Sequence, residues 1–100
     1  MLQYNENKIS YLENNEEKGY ILYNLEDNNK TINVTKTYVD SSMRGKGIAN
    51  ILVQAIYNYA IENKKSIIPT CSYVNNWFIK NKDKQNVLKN GILDNPRCSI

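Results

Sequence analysis

The first forty residues alternate short β-branched and aromatic runs with polar breaks. Lys8-Ile9-Ser10-Tyr11-Leu12-Glu13 predicts a first strand, closed by the turn-rich Asn14-Asn15-Glu16-Glu17-Lys18-Gly19, and Tyr20 to Leu25 predicts a second. After the polar break Glu26-Asp27-Asn28-Asn29, Lys30 to Val39 is dominated by Thr, Ile, Val and Tyr, with Ile32 and Val34 on one face. Such short polar connections suggest an antiparallel meander. From Gly47 to Asn63 the pattern changes. Ile48, Ile51, Leu52, Ala55, Ile56, Tyr59 and Ala60 recur at alternating spacings of three and one, which predicts one apolar stripe on a helix about 25 Å long. That stripe must pack against the sheet.

Ser66-Ile67-Ile68-Pro69-Thr70 reads as a short strand. Reached through a helix, it is expected to lie parallel to the previous strand by a right-handed crossover. Pro69 cuts its ladder short because proline has no N–H to donate. Tyr73 to Asn81 predicts a second helix whose apolar face holds Val74, Trp77 and Phe78, after which Val87 and Leu88 anchor one more turn. The order β-β-β-α-β-α predicts an α+β fold: a mixed sheet, made of an antiparallel meander plus a parallel crossover strand, with two main helices. With no internal repeat and no linker, residues 1–90 are expected to form a single domain and 91–100 a C-terminal tail.

One hundred residues, 41% of them apolar, suffice for one core without staples. The net charge of +3, from 13 basic and 10 acidic residues, helps attract a small anionic ligand. It is no nucleic-acid signature, since the lysines form no stripe beyond a modest cluster at Lys80, Lys82, Lys84 and Lys89. The 17 asparagines are dispersed through ordered segments and read as codon bias rather than as a functional tract. Histidine is absent, which removes the commonest general base and the commonest zinc ligand together, and no metal site is expected. Neither a membrane-spanning run nor a signal peptide is visible, so a cytoplasmic protein is expected. In that setting Cys71 and Cys98 are free thiols, Cys98 in the tail.

Against this background Arg44-Gly45-Lys46-Gly47-Ile48-Ala49 stands out, because it joins the third strand to the best amphipathic helix. Two glycines one residue apart let the backbone turn tightly and approach a ligand. The helix that follows aims unpaired N–H groups and a partial positive charge at the same place, which suits a phosphate or pyrophosphate. A P-loop is ruled out, since Gly45 and Gly47 are too close and no hydroxyl follows a Gly-Lys pair in that frame. A dinucleotide fingerprint needs a third glycine where Asn50 stands. A glycine turn that merely caps the helix remains open. Arg44-x-x-Gly47-x-Ala49 fits in full the R/Q-x-x-G-x-G/A spacing by which N-acetyltransferases of the GNAT superfamily hold the pyrophosphate of coenzyme A.

Thr37-x-Val39, then Arg44 to Ala49, then Pro69-Thr70-Cys71-Ser72-Tyr73-Val74 resembles, in order and spacing, a compact GNAT subgroup that carries a P-x-C-x-[FY]-V segment. The resemblance runs from about Lys8 to Leu88 and implies an acetyl-CoA site between the two splayed parallel strands and the helix start. It implies pyrophosphate contacts from the amides of Gly45, Gly47, Ile48, Ala49 and Asn50, with charge from Arg44 and Lys46. Backbone groups of Tyr38, Val39 and Asp40 would pair with pantetheine in strand fashion. Cys71 would lie close to the coenzyme A sulfur, where it either acts covalently, contacts the thioester or forms a mixed disulfide. The alternative is a buried inert thiol. The subgroup's His-Thr-Glu-Val reads Lys36-Thr37-Tyr38-Val39 here, and its His after the second helix is Asn81, so titratable groups near the implied site are gone.

An amine acceptor with the lysine pKa of about 10.4 must lose a proton before attack, which costs about 4 kcal/mol at neutral pH. Asp40, Glu62, Cys71 or a water chain are the candidates to take it. Tyr73 is available to protonate the departing thiolate, although Tyr73 and Trp77 also fit a core role. The leading reading is an enzyme that passes acetyl from acetyl-CoA to an unidentified amine of a small molecule, protein or peptide. The rival is a non-catalytic coenzyme A or acyl-CoA binding module. No nucleic-acid or membrane partner is expected, and the chain is a monomer or, through a free sheet edge, a homodimer.

Overall fold

The computed structural model describes residues 1–92; the tail beyond them, with Cys98, lies outside the described residues. Five strands form one sheet in sequence order: β1 (Leu2–Tyr4), β2 (Lys8–Glu13), β3 (Glu16–Glu26), β4 (Thr31–Val39) and β5 (Ser66–Ile68). The first four are antiparallel neighbours, and β5 lies parallel to β4. The crossover between β4 and β5 carries α1 (Ile48–Glu62), and α2 (Ser72–Lys80) follows β5. Short 3-10 helices at Ser41–Met43 and Lys82–Val87 complete the described chain. The α+β mixed sheet with two main helices is as expected. Among the described residues no helix is long and apolar enough to cross a membrane.

β1 goes beyond the predicted order. Its three residues pair Leu2 with Tyr11 and Tyr4 with Ile9, and three residues are too few to show a periodicity. The first turn is also tighter than predicted. Asn14 and Asn15 both take left-handed φ, 53° and 65°, so a two-residue hairpin suffices and β3 resumes at Glu16. Asp27, Asn28 and Asn29 adopt the same region between β3 and β4. Some of the dispersed asparagines thus sit where their tolerance of positive φ shapes the meander.

Gly19, which the turn was expected to contain, lies inside β3. A Cβ there would come within 2.9 Å of the Tyr38 carbonyl oxygen and 3.2 Å of the Ile48 side chain. The missing side chain therefore lets the first turn of α1 settle directly on the sheet.

α1 buries more than one stripe. Ile48, Leu52, Ala55, Ile56 and Ala60 are buried as predicted, but Ile51 is 39% exposed and Val53 is fully buried in its place. The reason is α2, which packs beside α1: the Tyr57 ring lies 6.2 Å from Trp77 and 6.5 Å from Phe78. Residues 50, 53 and 57 fall on that second face at helical spacing.

Two bulges set which side chains enter the core. Thr35 has no partner across β3, because Leu22 pairs with Lys36 and Tyr23 with Val34. The extra residue shifts the alternation. Ile32 and Val34 face the core before it, and Thr37 is the buried residue after it, while Lys36 and Tyr38 are exposed. A second bulge places Lys18 opposite no residue of β2. After α2 the chain returns along β5, where Leu88 bridges Ile67 and the Lys89 N–H donates to the Ile67 carbonyl at 3.0 Å.

Gly19→Ala is expected to destabilise the protein by about 1–3 kcal/mol, since the contacted atoms include backbone that must shift. Urea unfolding followed by circular dichroism checks this as a lower midpoint at unchanged m-value.

Candidate active site

β4 and β5 pair over only three residues, Thr31 with Ser66, Ile32 with Ile67 and Asn33 with Ile68. Pro69 follows at once, but the Ser66 N–H donates to the Lys30 carbonyl, so residues 66, 68 and 70 turn their polar groups toward β4. The ladder breaks at Thr70, whose N–H donates back to the Ile68 carbonyl at 3.1 Å. The last link is the Cys71 N–H, which donates to the Val34 carbonyl at 2.9 Å. Beyond that point the two strands separate.

Which groups of β4 face the gap follows from the antiparallel ladder. The Asp40 N–H donates to the Lys18 carbonyl at 2.8 Å, so the polar groups of residues 40 and 38 turn toward β3. Those of Thr37 and Val39 turn the other way, into the gap. The edge presented there is therefore the backbone of Thr37 and Val39. Asp40 has its N–H engaged, and Tyr38 lies on the opposite face of the sheet, where its ring stacks on Tyr20 at 5.2 Å.

The loop after β4 is anchored by Met43, 5% exposed. Gly45 and Gly47 then take φ of +83° and +78°, with no atom within 4 Å of the place a Cβ would occupy. Backbone handedness, not crowding, calls for glycine at both. Gly47 is the N-cap of α1 and supplies no side-chain cap. The helical ladder begins with the Ile51 N–H, which donates to the Gly47 carbonyl at 3.1 Å. The N–H groups of Ile48, Ala49 and Asn50 are left without a helical acceptor. No acidic residue occupies the first turn, so the positive end of the helix dipole is not neutralised.

These parts enclose a cavity of about 300 Å³. Of the residues proposed from the sequence, Val39, Arg44, Gly45, Gly47, Ile48, Ala49, Asn50 and Tyr73 line it, together with Thr37 and Met43. The last two were not put forward. Met43 had a visible signal, as a lone apolar residue in a polar loop, while the bulge that turns Thr37 inward had none. Lys46 is exposed beside the loop and does not line the cavity. Arg44 is exposed as well, with its Nε–H donating to the Val39 carbonyl at 3.5 Å.

Cys71 is fully buried and does not line the cavity. Its thiol donates to Thr37 Oγ1 at 3.5 Å, which leaves it one side chain behind the cavity wall. Tyr73, the second residue of α2, is half-buried, and desolvation pushes its phenol pKa above the ordinary value. Its hydroxyl makes no hydrogen bond with the described residues. Asp40 accepts a hydrogen bond from the Ser42 hydroxyl, which holds its carboxyl below the usual carboxylate range. An acid so lowered is a weak proton acceptor. Glu62 lies in a separate surface groove with Tyr57 and Ile61, at the far end of α1 and about 20 Å along the helix from Gly47. Among the described residues no three His, Cys, Asp or Glu side chains gather where a metal ion could sit.

The model of the GCN5-related N-acetyl-transferase family matches residues 8–87. The chain is similar to a GCN5-like candidate N-acetyltransferase of Staphylococcus aureus, known from its solution structure, with 28% identity and a TM-score of 0.73 over 94% of this chain and 91% of that one. A crystal structure of ribosomal-protein-alanine N-acetyltransferase from Brucella melitensis biovar Abortus 2308 shares the fold at 18% identity and a TM-score of 0.55. That alignment covers 74% of this chain and 61% of the other. A family match that spans β2 to β4, the glycine loop, the parted parallel strands and α2 makes this chain a member of the GCN5-related N-acetyltransferase family.

Proposed function

We propose that this acyltransferase binds acetyl-CoA in the cavity at the start of α1 and passes the acetyl group to an amine. The observation that carries the reading is the continuity of two binding features. The free amides of Ile48, Ala49 and Asn50, uncovered by two left-handed glycines, adjoin the backbone edge of Thr37 and Val39, which faces no strand and whose Val39 carbonyl takes one long hydrogen bond from Arg44. The first feature suits a pyrophosphate, and Arg44 and Lys46 add positive charge nearby. The second suits an extended chain of amides, which β4 would receive as β5 receives its own partner.

When bound, acetyl-CoA supplies an activated acetyl thioester. The protein's share would be to hold it still between β4 and the start of α1, in the cavity that Tyr73 also lines. A phenol is protonated at neutral pH in any case and burial moves Tyr73 further that way, so its O–H is a hydrogen-bond donor for a departing thiolate. The acceptor amine attacks directly in this reading. With Glu62 distant and Asp40 weakly basic, the amine gives up its proton to water. The open character of the site suits an amine on a peptide or a small molecule.

Gly47→Ala is expected to leave a folded protein, since a left-handed φ costs an L-residue about 1–2 kcal/mol, yet to weaken acetyl-CoA binding at least about tenfold. Isothermal titration of wild type and variant decides it, and tight binding by the variant refutes the loop's role. Tyr73→Phe is expected to lower kcat about a hundredfold at little cost in acetyl-CoA affinity. Cys71→Ala is expected to retain turnover, and its collapse with binding intact would place the acetyl group on Cys71 Sγ instead. With a lysine-like acceptor of pKa about 10.4, the rate is expected to rise about tenfold per pH unit from pH 6.5 to 8.5. An early plateau would assign the proton acceptor to the protein.

A further inference from the structure

Trp77 and Asn50 meet at the wall between the cavity and α2. The Trp77 Nε1–H donates to Asn50 Oδ1 at 2.6 Å. An indole N–H can only donate, so the amide atom facing it must be the oxygen, and the two N–H donors of Nδ2 are left over. Asn50 lines the cavity in the third position of α1, and its Nδ2 makes no hydrogen bond with the described residues. Trp77 is itself immobilised. It is 6% exposed, meets Phe78 edge-on with centroids 5.0 Å apart, and rests against Tyr57.

We propose that Trp77 is a positioning residue for the anionic part of the ligand: it locks the Asn50 amide so that Nδ2 adds a side-chain donor to the amides at the start of α1. This rests on the acetyl-CoA reading and deepens it. An exposed asparagine left to itself samples both ends of its amide, and the carbonyl end would repel a phosphate. Holding the oxygen removes the wrong orientation and lowers the ordering entropy that binding must overcome. Trp77 lies one helical turn after Tyr73, so a single face of α2 carries both the side chain that supports the phosphate cradle and the phenol of the cavity wall.

Calorimetric titration of acetyl-CoA into wild type, Asn50→Ala, Asn50→Asp, Trp77→Phe and the Asn50→Ala/Trp77→Phe double variant tests this. Asn50→Ala should raise Kd about tenfold, the cost of one hydrogen bond to a charged group. Asn50→Asp keeps an acceptor for Trp77, and should melt like wild type yet bind more weakly than Asn50→Ala, because a carboxylate would then face the phosphates. Trp77→Phe should raise Kd about fivefold in the wild-type background and less than about twofold when Asn50 is already Ala. An equal factor in both backgrounds would make the Trp77 effect merely structural and overturn the inference, as would wild-type affinity in Asn50→Asp. If Trp77→Phe fails to fold, the two Asn50 variants decide. Absence of binding by folded wild type would instead defeat the acetyl-CoA reading, and this inference with it.

Discussion

The architecture turns on where the hydrogen bonds between β4 and β5 stop. β5 pairs with β4 for three residues, and the Thr70 N–H then turns back to the Ile68 carbonyl instead of reaching β4. Had the pairing continued, Thr37 and Val39 would spend their backbone groups on a neighbouring strand, and the wall of the cavity would be ordinary sheet. The Cys71 N–H bound to Val34 pins the point at which the strands part, and it also starts α2 there. The gap, the direction of α2 and the placement of Tyr73 beside the helix start therefore follow from the shift of the last link from Thr70 to Cys71.

Around that opening, the position of α1 is set from two sides. Gly19 lets its first turn sit low on the sheet, and Trp77, Tyr57 and Phe78 fix it laterally against α2. The free amides at its start owe their orientation to packing as much as to the glycine loop. An element that must present a charged ligand with three amides gains from a rigid seat, because any tilt would shift all three donors together.

Much of this was legible in the residues. The helical stripe, the strand that ends at Pro69 and the Arg44–Ala49 loop each announce themselves through a local pattern, and each appears where that pattern places it. What the pattern could not carry was parity. The bulge at Thr35 turns Thr37 inward and leaves Tyr38 outside, although strict alternation from Ile32 and Val34 would do the reverse. The same limit applies to Ile51 and Val53, whose exposure depends on where α2 lies. Pairing partners also decide which backbone groups remain free, so the engagement of Asp40 by Lys18 could be known only from the register.

The return of the chain along β5 bears on how this sheet meets other molecules. Leu88 and Lys89 occupy the outward side of Ile67, so that border is already taken by the protein's own backbone. At the opposite border stands β1, three residues long. A foreign strand seeking to extend the sheet would find a template too short to hold it firmly, whereas the interior gap between β4 and β5 leaves the backbone edge of Thr37 and Val39 without a strand neighbour.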